Sequence, residues 1–514
     1  MITTPSRLAS EAGANVLKAG GNAIEAVVAA AAVLTVVYPH FCGLGGDAVW
    51  MIAGEAGEPT SLLGIGQAAA SARPGFAPSV RGAGSTLTSA GLVDSWGRAL
   101  SHSNEHWDGT HALTDLLVPA IGYAREGFAM SPSQRFWLDM RRSELAEWPG
   151  FSASFLDGGA VPEVGWHFRQ PALADTLSAI AEDGTRSFYE GRLAKRIAEG
   201  LTRAGSPLTA ADLAATRSEF STPITVRYRD IDLYAPPPPS QGLATLATMG
   251  ILDRIELEGL KESGADHIHL VIEAIKQAFL HRGKIADQPI GEAGLETLLS
   301  APTLDTMAAA IDRDRALPWP YPRKQGDTVY IGAVDAKGRC VSMLQSTYFD
   351  WGSGVVVGDT GIIWHNRGAA FSSDPNHPNA VAPGKRPFHT LNPGLSMEGG
   401  RPCLLYGTQG ADGQPQTLAL LLTRLLAFGM SPAEALRGPR FLLGKTFSNQ
   451  ADSLKIEADF GDTVLNDLQR RGHDLVVTEA QNPLFGQAGV IRIAPDGSLR
   501  GAHDPRSDGI ALTV

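Results

Sequence analysis

Two strand-like runs, TVYIGAVD (328–335) and RCVSMLQST (339–347), flank the tripeptide Ala336-Lys337-Gly338. Their β-branched and apolar residues suit a pleated, half-buried surface. A three-residue connection ending in Gly suits a tight antiparallel hairpin, because its last residue takes a positive φ. Closing the loop with Asp335 opposite Arg339 fixes every other pair. Thr328 then falls opposite Ser346, on one face of the hairpin and about 5 Å away. Two hydroxyls meeting there have two readings: an ordinary cross-strand pair, or a nucleophile and the group that supports it.

The texture of the chain changes at this hairpin. Residues 6–19 and 22–37 read as helices, the second apolar enough to be buried all round. CGLGGD (42–47) leads to short strands at 48–53 and 61–66. Helical periodicity dominates from about 112 to 290, interrupted by one strand at 224–234. That strand ends in the tetraproline 236–239, a rigid extended link before a helix at about 241–256. Segment 300–327 is polar and weakly patterned, as a surface connection is. Beyond the hairpin, strands at 402–407, 453–457, 488–494 and 499–503 alternate with helices at 415–428 and 461–472. A helix-rich first part and a strand-rich last part predict a mixed α/β fold.

Several function classes drop out. A net charge of −11 argues against a surface for nucleic acid or anionic lipid. The longest apolar stretch, Ala26 to Val37, is too short to span a bilayer. The opening MITTPSRLAS lacks a basic stretch followed by an apolar one, so a cytoplasmic location is expected. Cys42, Cys340 and Cys403 lack metal-ligand spacing and read as free thiols. There is no G-x-S-x-G elbow and no H-E-x-x-H. Gly438 and Gly444-Lys445-Thr446 are one residue out of register for a phosphate loop, and Gly43-Leu44-Gly45-Gly46 lacks the third glycine of a dinucleotide fingerprint. His267 and His269, two apart, do not share a helix face and read as structural. No cofactor and no metal are expected.

The polar segment runs directly into Thr328. A cut at Asp327–Thr328 would give Thr328 its own α-amine, with a pKa near 8. Such an amine can take the proton of its own hydroxyl, a chemistry that needs neither His, Asp nor metal.

With these pieces in place the chain resembles the gamma-glutamyltranspeptidase family of N-terminal nucleophile hydrolases. The resemblance rests on GGNAIEAVVAA (20–30), GLGGD (43–47), FYEGRLA (188–194), APPPPSQG (235–242), EAIKQAF (273–279), GDTVYIGAVDAKG (326–338), APGKRP (382–387) and GAHDPRSDG (501–509), which stand in the family's order. It implies a four-layer αββα sandwich, one composite domain matured by self-cleavage into a large chain, 1–327, and a small chain, 328–514. It implies Thr328 as the nucleophile, Ser346 as its supporting hydroxyl, and Gly410 and Ala411 of YGTQGADGQP (406–415) as oxyanion donors. Ala411 stands where the family has Gly, which is tolerable if φ is negative there. Whether two such heterodimers associate is left open.

The departures bear on substrate. The resemblance places Arg73 at the substrate carboxylate. The family's Ser pair becomes His389-Thr390, its Asn becomes Tyr348, and its Gln and Asp become Arg367 and Ala370. The groups expected to hold an ammonium are gone, and a cation has entered. This implies a small anionic acyl group without a free α-amine, held by Arg73, Arg367 and His389. Arg367 could instead be the partner of a structural ion pair. These features resemble the family's oxamate amidohydrolase branch, which yields oxalate and ammonia. A gamma-glutamyl hydrolase or transpeptidase, a glutaryl-type acylase, and an uncleaved non-catalytic binding protein are the alternatives.

Overall fold

Strand Asp327–Val334 shows why the chain builds layers. Its residues Val329, Ile331 and Ala333 pack into a core with helix Ala23–Val37, while Tyr330 and Val334 face the opposite way. Such two-sided burial asks for helices on one face and a second sheet on the other. The computed structural model, which describes residues 1–288, 295–319, 327–444 and 452–514, has that arrangement.

The first sheet has seven strands, in the order Ile510–Leu512, Ile2–Thr4, Asp327–Val334, Cys340–Tyr348, Asp47–Ala53, Thr60–Gly64 and Glu219–Ser221. The second has six: Leu499–His503, Ala488–Ile493, Arg401–Thr408, Gly394–Glu398, Ile231–Ala235 and Ile224–Tyr228. Met51, Leu395, Leu405 and Ile491 fill the space between them, with Val49, Leu63, Tyr330 and Leu344. Helix Ala23–Val37, buried at every residue, lies against the first sheet. Asn22 caps it by accepting from the N–H groups of Ile24 and Glu25. Helices Gly242–Asp253, Ala265–Phe279 and Gln414–Leu422 cover the second sheet. The result is an α/β fold of four layers, αββα.

The two sheets come close together at Tyr330. A Cβ at Gly407 would sit 2.2 Å from its ring, and one at Gly489 2.6 Å from it. Two glycines on adjacent strands of the second sheet thus make room for the ring.

The expected strand at 224–234 is two strands, Ile224–Tyr228 and Ile231–Ala235, because Arg229 turns the chain with φ 53°. The segment at 300–327 is not a plain connection, since Ala301–Ala309 is helical. Its residues 320–326 lie outside the described ones, as does Lys445-Thr446. Strands Ile2–Thr4, Gly394–Glu398 and Ile510–Leu512 were not anticipated. Among the described residues no helix is long and apolar enough to cross a membrane.

Candidate active site

The hairpin has the expected register through most of its length, from Cys340 opposite Val334 to Gln345 opposite Val329. Gly338 closes the turn at φ 73°, and Asp335 N–H donates to Arg339 O at 3.0 Å. The ladder then breaks, and pairing resumes at Tyr348 opposite Asp327. Ser346 and Thr347 therefore both face Thr328. The cause is local: Ser346 Oγ accepts the Tyr348 N–H at 2.7 Å, and Thr347 N–H turns away to Phe41 O at 3.0 Å. Such a bulge re-aims side chains beside a site. Tyr348 bends with it, at φ 79°. Thr328 and Ser346 are both buried, and Ser346 is in turn paired with Asp47 on the next strand. The chain runs unbroken through Asp327–Thr328 as one strand.

A turn from the second sheet reaches the same place. Gly410 has φ 122° and Ala411 φ 39°, so the condition of a negative φ at Ala411 is not met. A non-glycine residue in this region costs about 1 kcal/mol or more and needs outside support. Gln241 Nε2 supplies it, donating to Ala411 O at 2.5 Å and to Thr390 O at 2.8 Å. Arg282 Nη2 donates to Gln241 Oε1 at 2.9 Å and pairs with the Asp412 carboxylate. The N–H groups of Gly410 and Ala411 have no acceptor among the described residues. Gln414, the first residue of the following helix, donates from Nε2 to Thr328 Oγ1 at 3.3 Å.

Arg367 is fully buried and stacks on Tyr348, with its guanidinium carbon 3.8 Å from the ring centre. Its Nη1 donates to Thr390 Oγ1 at 3.1 Å. Its Nε and Nη2 have no partner, and it makes no ion pair among the described residues. Burial pulls it down to about 10, leaving it a cation at neutral pH. Burial pushes the Tyr348 phenol well above the ordinary tyrosine range, and the Arg367 cation beside it offsets only part of that.

Asp47 is near enough to this cation to be felt by it but forms no ion pair with it. Its Oδ1 accepts the N–H groups of Gly66 and Gly91, each at 2.9 Å. Its Oδ2 is 3.1 Å from His389 Nε2 and 3.3 Å from His365 Nδ1. Burial works against the charge, but the two imidazoles more than offset it and hold the carboxyl well below the usual range. Burial and then Arg367 push His389 down to about 3. His389 Nδ1 accepts the Leu391 N–H at 3.3 Å, so both its nitrogens are engaged within the protein.

Thr328, Ser346, Tyr348, Arg367, His389, Thr390, Gly410 and Ala411 thus meet around one buried spot. Arg73 does not join them; it is exposed on a loop. Asp47, Gln241, Asp412 and Gln414 stood in the sequence only inside GLGGD, APPPPSQG and YGTQGADGQP, with no role of their own, and Arg282 was missed altogether. Only Gln414 carried a local signal, as a polar residue opening an apolar helix. His267 bonds to Thr423 Oγ1 and the Ser263 N–H. His269, Glu273 and His473 have ligand atoms within 4.8 Å of one another. They are satisfied internally: His269 Nδ1 by His473 at 2.9 Å, its Nε2 by Asp312 O at 2.8 Å, and Glu273 by Lys276 Nζ at 2.8 Å.

A family model described as Gamma-glutamyltranspeptidase matches residues 9–514. An oxamate amidohydrolase proenzyme of Klebsiella pneumoniae is 42% identical, covering 99% of this chain and 98% of its own length. A glutathione hydrolase-like YwrD proenzyme of Bacillus subtilis is 38% identical, over 100% of this chain and 98% of its own. Among solved structures, a cephalosporin acylase from Bacillus halodurans superposes with a TM-score of 0.89 at 33% identity, over 99% of this chain and 94% of that one.

Proposed function

The chain belongs to the gamma-glutamyltranspeptidase family and is an N-terminal nucleophile hydrolase acting on amide bonds; from that premise we propose that it cuts itself before Thr328 and hydrolyses oxamate to oxalate and ammonia. The observation that carries the substrate is Arg367. A buried guanidinium without a carboxylate partner is strongly destabilising unless something anionic arrives to pair with it. Two of its nitrogens are unpaired, which suits a planar carboxylate held at two points. No acidic group remains at position 370 to hold an ammonium, and Tyr348 closes one face of the cation. A short anionic amide fits these terms, and the similarity to an oxamate amidohydrolase points the same way.

In this reading the new α-amine of Thr328 takes the Oγ1 proton, and Oγ1 attacks the amide carbon. The N–H groups of Gly410 and Ala411 hold the developing oxyanion. Collapse breaks the C–N bond, and the α-ammonium passes its proton to the nitrogen, which leaves as ammonia. Water then attacks the ester with the same amine as base, releasing oxalate and restoring the hydroxyl. One oxamate and one water give one oxalate and one ammonium ion. Arg367 and Thr390 hold the carboxylate. Asp47 and His389 keep the ring and strand beside them in place, so His389 supports the pocket rather than the substrate. Arg73, exposed in the uncut chain, is left without a substrate contact.

The test begins with intact mass under denaturing conditions. Two chains, 1–327 and 328–514, are expected, and Thr328→Ala is expected to stay one chain of 54.2 kDa. The cut enzyme should release ammonia from oxamate. A cut enzyme that ignores oxamate but turns over a γ-glutamyl anilide would sink the substrate assignment. The likeness to a cephalosporin acylase favours a second reading, a longer carboxylate-ended acyl group, and succinamate and glutaramate assayed in parallel separate the two.

A further inference from the structure

Gln414 is the described side chain that touches the attacking oxygen, and only half of its carboxamide is used. Nε2 donates to Thr328 Oγ1 at 3.3 Å. Oε1, at the other end of the same amide, is buried with no hydrogen-bond partner among the described residues. Leaving a buried acceptor unmatched costs about 1–3 kcal/mol, so the pairing it lacks points to a donor that arrives later. In the unbroken chain Thr328 nitrogen is an amide within a strand. A cut before it would turn that amide into an amine, with new N–H groups inside a site where Thr328 is wholly buried. Those N–H groups need acceptors. Ser346 Oγ already accepts from Tyr348 N–H.

We propose that Gln414 is a catalytic residue of this hydrolase, holding Thr328 Oγ1 through Nε2 and receiving the α-amine of the cut Thr328 on Oε1. The proposal rests on the self-cleavage reading above. One carboxamide would then fix the hydroxyl and the amine relative to each other, so that the proton passes between two groups already aligned. The titratable and charged groups around this spot are Asp47 on the first sheet with His365 and His389 beside it, Tyr348 and Arg367, and Asp412 on the turn with Arg282 paired to it. Changes at Gln414 leave all of them in place.

An acceptor for an amine N–H favours the protonated amine, and a carboxylate favours it more. Gln414→Met should therefore lower the pKa of the Thr328 α-amine, and Gln414→Glu should raise it, each by about one pH unit, roughly tenfold in the proton affinity. The α-amine is titrated without any substrate by competitive acetylation with acetic anhydride across neutral and alkaline pH. Mass spectrometry reads the peptide that begins at Thr328. Shifts of opposite sign in the two variants support the assignment, and one midpoint shared with the wild type overturns it. If the wild type yields no peptide beginning at Thr328, the self-cleavage reading fails and this one with it. A variant that stays uncut but melts like Thr328→Ala supports the hold of Nε2 on Oγ1, because the same oxygen must attack in self-cleavage.

Discussion

Arg367 is a cation kept away from water, and its neighbours supply one hydroxyl and one aromatic face. Replacing it with Gln removes the charge and one arm of the fork while keeping much of the volume. Charge-assisted bonds of this kind are worth about 1.5–3 kcal/mol, so Arg367→Gln should raise KM for an anionic amide roughly 10- to 100-fold. Steady-state kinetics at fixed ionic strength checks this, and an unchanged KM would remove Arg367 from the pocket. Arg367 was visible in the sequence as a cation where the resemblance led one to expect none. Thr328 and Ser346 were visible because a tight turn fixes a hairpin's register by counting. Gln414 was visible only as a polar residue opening an apolar helix, because nothing local says that such a residue will face a strand 86 positions earlier. Arg73 shows the reverse: a matched motif position that the fold leaves at the surface.

At the scale of elements, strands were legible where β-branched or alternating apolar residues ran for five or more positions, as at 488–494 and 499–503. Short edge strands such as Ile2–Thr4 and Ile510–Leu512 carry too few residues to show a period, and their partners alone define them. How tightly the sheets meet was not legible either, since it depends on Tyr330 finding glycine opposite. Gly407→Ala would set a methyl 2.2 Å from that ring. Overpacking of this sort costs about 1–3 kcal/mol. Urea unfolding of the uncut Thr328→Ala chain should show a loss of that size, and Tyr330→Leu in the same background should restore part of it. Additive losses in the double variant would mean that the ring is not what the methyl meets.

At the scale of the molecule, several histidines are stored neutral. Burial pushes His389, His267 and His473 down to about 3 each. Unfolded, each would take a proton near pH 6.5. The unfolded chain thus binds more protons than the folded one below that pH, and stability falls as pH drops from about 6.5 toward 3. The slope should be about 1.4 kcal/mol per pH unit for each such histidine where the unfolded form is fully protonated. Urea midpoints of the uncut Thr328→Ala chain, taken between about pH 6 and 4.5, measure it, ahead of most carboxylate titration. His267→Asn should flatten the slope by one proton, and an unaltered slope would show that His267 is not among the groups responsible.

The strand order has a further consequence. Ile2–Thr4 lies between Asp327–Val334 and Ile510–Leu512, the two ends of the segment that would become the small chain. A cut before Thr328 would leave a seven-stranded sheet woven from two molecules, neither holding a complete sheet alone. Unfolding such a protein releases two partners, and refolding becomes second order in their concentrations, slower the more dilute they are. The intact precursor can fold by itself; the matured pair would have to find each other. The working enzyme would then persist by the height of the barrier to coming apart rather than by an equilibrium it could re-enter.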